Sequence, residues 1–295
     1  MPEGDTIWRT AAGLRSRLVG KVVRAALPAR WARLEGTTVT SVEAVGKHLL
    51  MHFDSGVVLH THMRMTGTWH VYAPGERWRK PAHAARIVLS FDDVEAVLFW
   101  APLVELLKDA PPPLGEGSPN DAPPPSPPPK GEVNSRRFLP HLGPDILDAD
   151  FDVQEAVRRA RSVQPATLGE LLLDQRVCAG VGNVYKCEAL WELKLDPWAA
   201  PGAVDDATLA GLIETARSHM RQNLPAGGFD RRFGARRQAV HGRRGRPCPR
   251  CGTRIAARAQ GAQARLTYFC PGCQSPNASG SDRAARRLDH ALHRR

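Results

Sequence analysis

The chain has 295 residues, with 41 Lys and Arg against 30 Asp and Glu and a net charge of +11. That length suggests about two domains, and no apolar run of ~18 residues marks a membrane-spanning helix. The charge is lopsided, because Arg217 to Arg295 carries 18 Arg, no Lys and three acids, a net +15, and the rest is net −4.

An arginine-rich end of this kind points to a polyanionic partner, since guanidinium groups take phosphate oxygens two at a time. The start Pro2-Glu3-Gly4-Asp5 is acidic and polar and reads as no signal peptide, so a cytoplasmic protein is expected. In a reducing compartment six cysteines are expected to be ligands or core residues rather than disulfides.

Residues 6–19 read as a helix, with Ile7, Ala11, Leu14 and Leu18 at helical spacing. Strands are expected at Val22–Ala26, Val39–Val45, Leu49–Phe53, Val57–His60, Thr68–Tyr72, Arg86–Phe91 and Ala96–Trp100. Asp54-Ser55-Gly56 reads as a hairpin turn, and the series suggests a β-sandwich or barrel. Residues 111–130 hold 10 of the 25 prolines and read as a disordered insert. Helices are expected at 151–162, 167–178, 183–193 and 205–223, the last capped by Asp205 or Asp206. Residues 224–247 read as loop and 274–295 as a basic tail.

Cys248-Pro-Arg-Cys251 and Cys270-Pro-Gly-Cys273 are two C-x₂-C pairs separated by 18 residues. Two such knuckles complete a tetrahedral Cys₄ shell, so one structural zinc ion is expected, with no open position for catalysis. Arg254–Arg258 and Arg265–Phe269 read as strands of a hairpin between the pairs. Cys178 and Cys187 read as buried core thiols. His48, His60 and His62 read as strand-packing groups or as groups facing the polyanionic partner, without a completing ligand set. Ala179-Gly180-Val181-Gly182 reads as a turn before a helix that Asn183 starts, and free amides at a helix N-terminus suit phosphate.

Three features occur together: the start Pro2-Glu3-Gly4-Asp5-Thr6, the segment Leu168 to Trp191 (LGELLLDQRVCAGVGNVYKCEALW), and the Cys₄ hairpin. Together they closely resemble the formamidopyrimidine-DNA glycosylase/endonuclease VIII (Fpg/Nei) family. Val45 to Leu49, Met63 to Gly67, Leu142 to Asp145 and Gly245 to Pro247 support the resemblance, and the start resembles the endonuclease VIII branch.

The resemblance implies an α+β fold of two domains with DNA between them. An N-terminal β-sandwich flanked by helices would span 1–147, a helix–two-turns–helix domain 148–240, and a zinc finger 241–274. It also implies a DNA glycosylase/AP lyase acting on oxidised pyrimidines in double-stranded DNA, as a monomer with no membrane partner. Pro2 would be the nucleophile once Met1 is removed, and Glu3 the acid/base beside it. Lys47, Arg265 and Asn183 would grip phosphates, and Arg64-Met65-Thr66 would fill the gap left by a flipped nucleotide.

The sequence departs from the family pattern at the Pro-rich insert, in the basic tail, and at His141, where many relatives carry arginine. It also lacks a clear Arg/Phe wedge for the opposite strand. A preference for oxidised purines and a non-catalytic zinc protein that binds damaged DNA are the alternative readings.

Overall fold

The computed structural model describes residues 2–108, 135–224 and 238–274. The Pro-rich insert, the basic tail and most of the arginine-rich loop therefore lie outside the described residues. The chain forms two compact units. Of the described residues, the first holds Pro2 and those from Thr6 to His141, and the second holds Glu3–Asp5 and those from Leu142 onward.

Helix α1 (Gly4–Leu18) carries the expected stripe. Ile7, Ala11, Leu14 and Leu18 are all buried. The first unit also contains two four-stranded antiparallel sheets. One is ordered β1 (Ala25–Leu27), β6 (Ala85–Ser90), β7 (Glu95–Phe99), β5 (Thr68–Tyr72). The other is ordered β2 (Val39–Val45), β3 (His48–Phe53), β4 (Val57–His62), β8 (Leu103–Lys108). Val42, Leu49, Met51 and Leu59 from one sheet share a core with Trp69, Ile87, Leu89 and Leu98 from the other. A sandwich buries one face of each sheet in this way.

Strand β1 is shorter than the apolar run Val22–Ala26 suggests. Val22 makes only an isolated bridge to Thr38, and the strand stops at Pro28, which has no N–H to donate. Strand β8 has no counterpart in the sequence reading. Leu103–Lys108 alternates neither apolar with polar nor buried with exposed. It becomes a strand by pairing with β4, in a register that sets Glu105 opposite His60.

The second unit contains α2 (Val153–Ser162), α3 (Leu168–Leu173), α4 (Asn183–Glu192) and α5 (Asp206–Gln222). The hairpin β9 (Ala256–Gln260) and β10 (Arg265–Phe269) completes it. Side chains cap three of the helices. Asp152 accepts from the amides of Gln154 and Glu155, Thr167 from Glu170, and Asp205 from Thr208.

Helix α3 ends at Leu173 rather than near Cys178. The Asp174 carboxylate takes the Arg176 amide at 3.0 Å. Distant backbone takes the rest: Gly143 N donates to Gln175 O at 2.8 Å, and Ala179 N to Pro144 O at 2.8 Å. Helix α4 is buried from Val184 to Trp191 without a break, so it shows no amphipathic stripe.

Candidate functional site

Helix α4 has no side-chain cap of its own, because Gly182 stands at its N-cap position. Glu3 fills that role from 181 residues away. Its Oε1 accepts from Val184 N at 2.9 Å and its Oε2 from Tyr185 N at 3.5 Å. The carboxylate is fully buried, where the positive end of the helix dipole and the amides compensate its charge. Glycine at 182 is required by contact. A Cβ there would lie 2.3 Å from Glu3 Cγ and Cδ. Gly4 N donates to Gly180 O at 2.9 Å and fixes the backbone beside it.

Asp5 adds a second buried attachment. Its Oδ2 accepts from Tyr185 Oη at 2.8 Å and from the side-chain amide of Asn223 at the end of α5. Glu3 and Asp5 thus dock onto one helix and half-buried Pro2 directly precedes them.

The side of α4 holds the hairpin. Asn183 Nδ2 donates to Leu266 O at 2.9 Å, Lys186 Nζ to Thr267 Oγ1 at 2.6 Å, and Cys187 Sγ accepts from Tyr268 N at 3.3 Å. Helical positions i, i+3 and i+4 thus meet three consecutive residues of β10. Lys186 is fully buried, and burial lowers its pKa from the ordinary lysine value. Burial likewise pushes the Cys187 thiol up to about 12, so it is an inert core group, as expected. Asn183 is oriented by the hairpin, with its Oδ1 buried and unpartnered among the described residues. Arg265 opens β10 opposite Gln260, half-buried, with Nε donating to Gln263 Oε1 at 3.0 Å.

Lys47 sits in the two-residue turn between β2 and β3, after Gly46 at φ 59°. It is half-buried. Arg64, Met65 and Thr66 form a tight turn closed by Gly67 N donating to Met63 O at 2.8 Å. Arg64 takes φ 45° there, and Met65 is 65% exposed although neighbouring Met63 is buried. Glu3, Asn183 and Arg265 therefore belong to the second unit, and Pro2, Lys47 and the Arg64–Thr66 turn to the first.

Cys248, Cys251, Cys270 and Cys273 bring their sulfurs within 4.8 Å of one another. Individual Sγ···Sγ separations are 3.4, 3.4 and 4.0 Å. A tetrahedral ion with metal–sulfur bonds of ~2.3 Å needs edges of about 3.8 Å, so the set fits a metal ion such as zinc. Arg250 N and Trp191 Nε1 each donate to Cys248 Sγ at 3.4 Å, contacts that would offset thiolate charge in a metal-bound set. Arg250 also donates to the Trp191 and Glu192 carbonyls, tying this knuckle to the C-terminus of α4.

Family models match both halves of the chain. The formamidopyrimidine-DNA glycosylase N-terminal domain matches residues 1–102, and the H2TH domain of that glycosylase matches 142–233. Probable endonuclease 8 2 of Streptomyces coelicolor is 38% identical over 260 residues, covering 85% of each chain. The chain belongs to the Fpg/Nei family.

Its affinity within Fpg/Nei is endonuclease VIII-like. The DNA-(apurinic or apyrimidinic site) lyase Nei2 of Mycolicibacterium smegmatis is 35% identical over 262 residues, covering 85% of this chain and 91% of that protein. The Fpg fold is shared as well. Lactococcus lactis formamidopyrimidine DNA glycosylase, solved non-covalently bound to DNA containing an AP site, matches with a TM-score of 0.72 at 20% identity. That match covers 92% of this chain and 99% of the other.

Several buried polar residues of this Fpg/Nei chain escape sequence reading. Asp5, Tyr185 and Asn223 lie too far apart in the chain for any spacing rule. Glu188 is buried and accepts from the amides of Ala239, Val240 and His241 at 2.8, 3.0 and 2.8 Å. Its signal, and that of Lys186, is a charge placed inside the apolar run from Val184 to Trp191.

Proposed function

We propose that the chain is a bifunctional DNA glycosylase and AP lyase of base excision repair, a monomer acting in the cytoplasm on damaged or abasic duplex DNA. The observation that carries the reading is the buried Glu3 carboxylate, held by the α4 amides one residue from Pro2. The endonuclease 8 and AP lyase names of its relatives support it. No helix among the described residues is long and apolar enough to cross a membrane.

With Met1 removed, Pro2 presents a secondary amine. An α-amine has a pKa near ~8, so a useful fraction is neutral at physiological pH. Its lone pair attacks the sugar C1′, and the glycosidic bond breaks with its electrons leaving on the damaged base. Ring opening gives an iminium ion, cationic without an added proton. That cation acidifies the C2′ hydrogen. Loss of this proton and departure of the 3′ phosphate cut the strand, and hydrolysis returns the amine. Glu3 serves as the acid/base at the opening sugar ring.

Lys47, Arg265 and Asn183 hold backbone phosphates around the extruded nucleotide. Arg64, Met65 and Thr66 enter the gap, and the exposure of Met65 on its turn supports that role for a flexible, polarizable wedge. The four cysteines hold one structural zinc ion, which supplies local folding energy to the hairpin. Oxidised pyrimidines are the preferred lesions, a reading the endonuclease VIII-like start Pro2-Glu3-Gly4-Asp5-Thr6 supports.

The test is borohydride trapping of the Met1-processed protein on an abasic oligonucleotide. A covalent complex that disappears in Pro2→Gly is expected. Binding without base release or nicking would favour a non-catalytic protein. A panel of thymine glycol, 5-hydroxycytosine, formamidopyrimidine and 8-oxoguanine duplexes decides the lesion class, and faster excision of the purine lesions would overturn the pyrimidine preference.

A further inference from the structure

Two histidines and one acid form a hydrogen-bonded line across β3, β4 and β8 of the first unit. His60 Nδ1 lies 2.8 Å from Glu105 Oε1, and His60 Nε2 lies 2.8 Å from His48 Nδ1. The His60 side chain is 4% exposed and that of Glu105 is 45% exposed, so the relay runs from an open end into the sheet. The terminal carboxylate fixes the tautomers in series. His60 keeps its proton on Nδ1 for Glu105, and its Nε2 lone pair takes the Nδ1 proton of His48. His48 Nε2 is left as the acceptor at the far end of the line, and the ring cannot flip without breaking the bond to His60.

Other basic groups close around that acceptor. The His62 ring stands edge-on to His48 at 4.7 Å between centroids, and His141 stands edge-on at 6.4 Å. Lys47, from the preceding turn, acts on both His48 and His62, and Arg64, from the following turn, acts on His62. Glu105 is the acid facing this group. Burial first, then the neighbouring basic groups, lowers His48 to about 3 and His62 to about 4, so both are neutral in the free protein. Two permanent cations beside these imidazoles disfavour a metal ion and favour an anion. The cysteine set, not this one, is the group of converging metal ligands among the described residues.

We propose that His48, His62 and His141 form, beside Lys47, a phosphate site that loads a proton: as a DNA phosphodiester oxygen docks, His48 Nε2 takes a proton from solvent. The positive charge is then shared through His60 with Glu105. The inference rests on the DNA-processing reading above, which gives Lys47 a phosphate but leaves these histidines and Glu105 without a task. The anion raises the affinity of His48 for its proton, so uptake occurs between the free and the bound pKa. DNA affinity must therefore rise as pH falls across that window.

The full-length protein is titrated with a duplex carrying a non-cleavable tetrahydrofuran abasic analogue. Calorimetry near pH 6, about half a unit below the ordinary imidazole value, is run in two buffers of different ionisation heat. The wild type is expected to take up roughly half a proton more than Glu105→Gln or His48→Asn, and to tighten about three-fold per pH unit more steeply. Glu105→Gln keeps an acceptor oxygen at the exposed end of the line, so it tests the charge without removing the contact. Equal proton uptake in the wild type and both variants, with binding retained, would overturn the proposal. Failure of the wild type to bind the duplex at all would strike the DNA-processing reading and this proposal with it, and the absence of binding heat tells the two failures apart.

Discussion

Gly182→Ala isolates the clamp on Glu3. Gly182 has φ −124° and ψ −167°, extended backbone that any residue adopts, so alanine costs nothing there by conformation. The cost is contact. The new Cβ would lie 2.3 Å from Glu3 Cγ and Cδ and 2.7 Å from Oε1, and the buried side chain has to withdraw. Withdrawal gives up the charge-assisted bond from Val184 N, worth about 1.5–3 kcal/mol. That bond is also the cap of α4, so the two are one loss. A loss of about 1.5–3 kcal/mol in urea unfolding is expected, with an unchanged m-value. Borohydride trapping on an abasic oligonucleotide should slow on the order of 100-fold, the lower end of what a displaced acid/base group costs. The decisive arm is the same substitution in a Glu3→Ala background. With no side chain to displace, Gly182→Ala should be neutral or stabilising by up to ~1 kcal/mol, because it restricts the unfolded chain. An equal loss in both backgrounds would refute the steric argument.

Glu188→Ala strips the acceptor from three amides and should cost about 3–5 kcal/mol, read as a lower urea midpoint. Met65→Ala should leave stability within ~0.5 kcal/mol, since the side chain is mostly exposed. It should still slow base excision from duplex DNA more than from single strands. Stripping the metal from the cysteine cluster with a chelator should abolish DNA binding while the circular dichroism of the β-sheets persists. Acid should destabilise the protein in a defined window. His48 and His62 have pKa values of about 3 and 4 against an ordinary value of 6.5, so below 6.5 the unfolded state binds more protons. Their contribution is complete above about pH 6.5 and is lost as pH falls through 4 toward 3. Asp174, held low by Arg176, acts in the same direction at lower pH. A urea midpoint that does not fall between pH 6.5 and 4 would contradict this, and His62→Asn should flatten the slope.

What the sequence makes legible here is what depends on near neighbours. The α1 stripe and strands Val39–Val45 and Thr68–Tyr72 fall where periodicity puts them. The two C-x₂-C knuckles and the Gly180 turn are read from a few adjacent residues. What escapes is set from a distance. Strand β8 exists because β4 offers an edge, and α3 is cut short because residues 143–146 take the backbone groups that a longer helix would use. Glu3 is recognisable beside Pro2 through a family resemblance, but its attachment to α4 leaves no trace at separations of 181 and 182 residues. The histidines are visible as a cluster of types. Their order as a relay requires Glu105, which only the β4–β8 register brings to His60.

The long reach of Glu3 and Asp5 also sets a schedule for biosynthesis. Asp5 leaves the ribosome 180 residues ahead of Tyr185 and 218 ahead of Asn223. At ~5–20 residues per second, that interval lasts roughly ten to forty-five seconds. Throughout it, Glu3 and Asp5 have no helix to dock onto, and the residues flanking Pro2 stay within reach of ribosome-bound processing enzymes. The unmasking of the Pro2 amine that the proposed chemistry requires therefore has its opportunity before the fold shuts. Trimming comes first and docking second, and translation speed past Asn223 sets how long the first step is given.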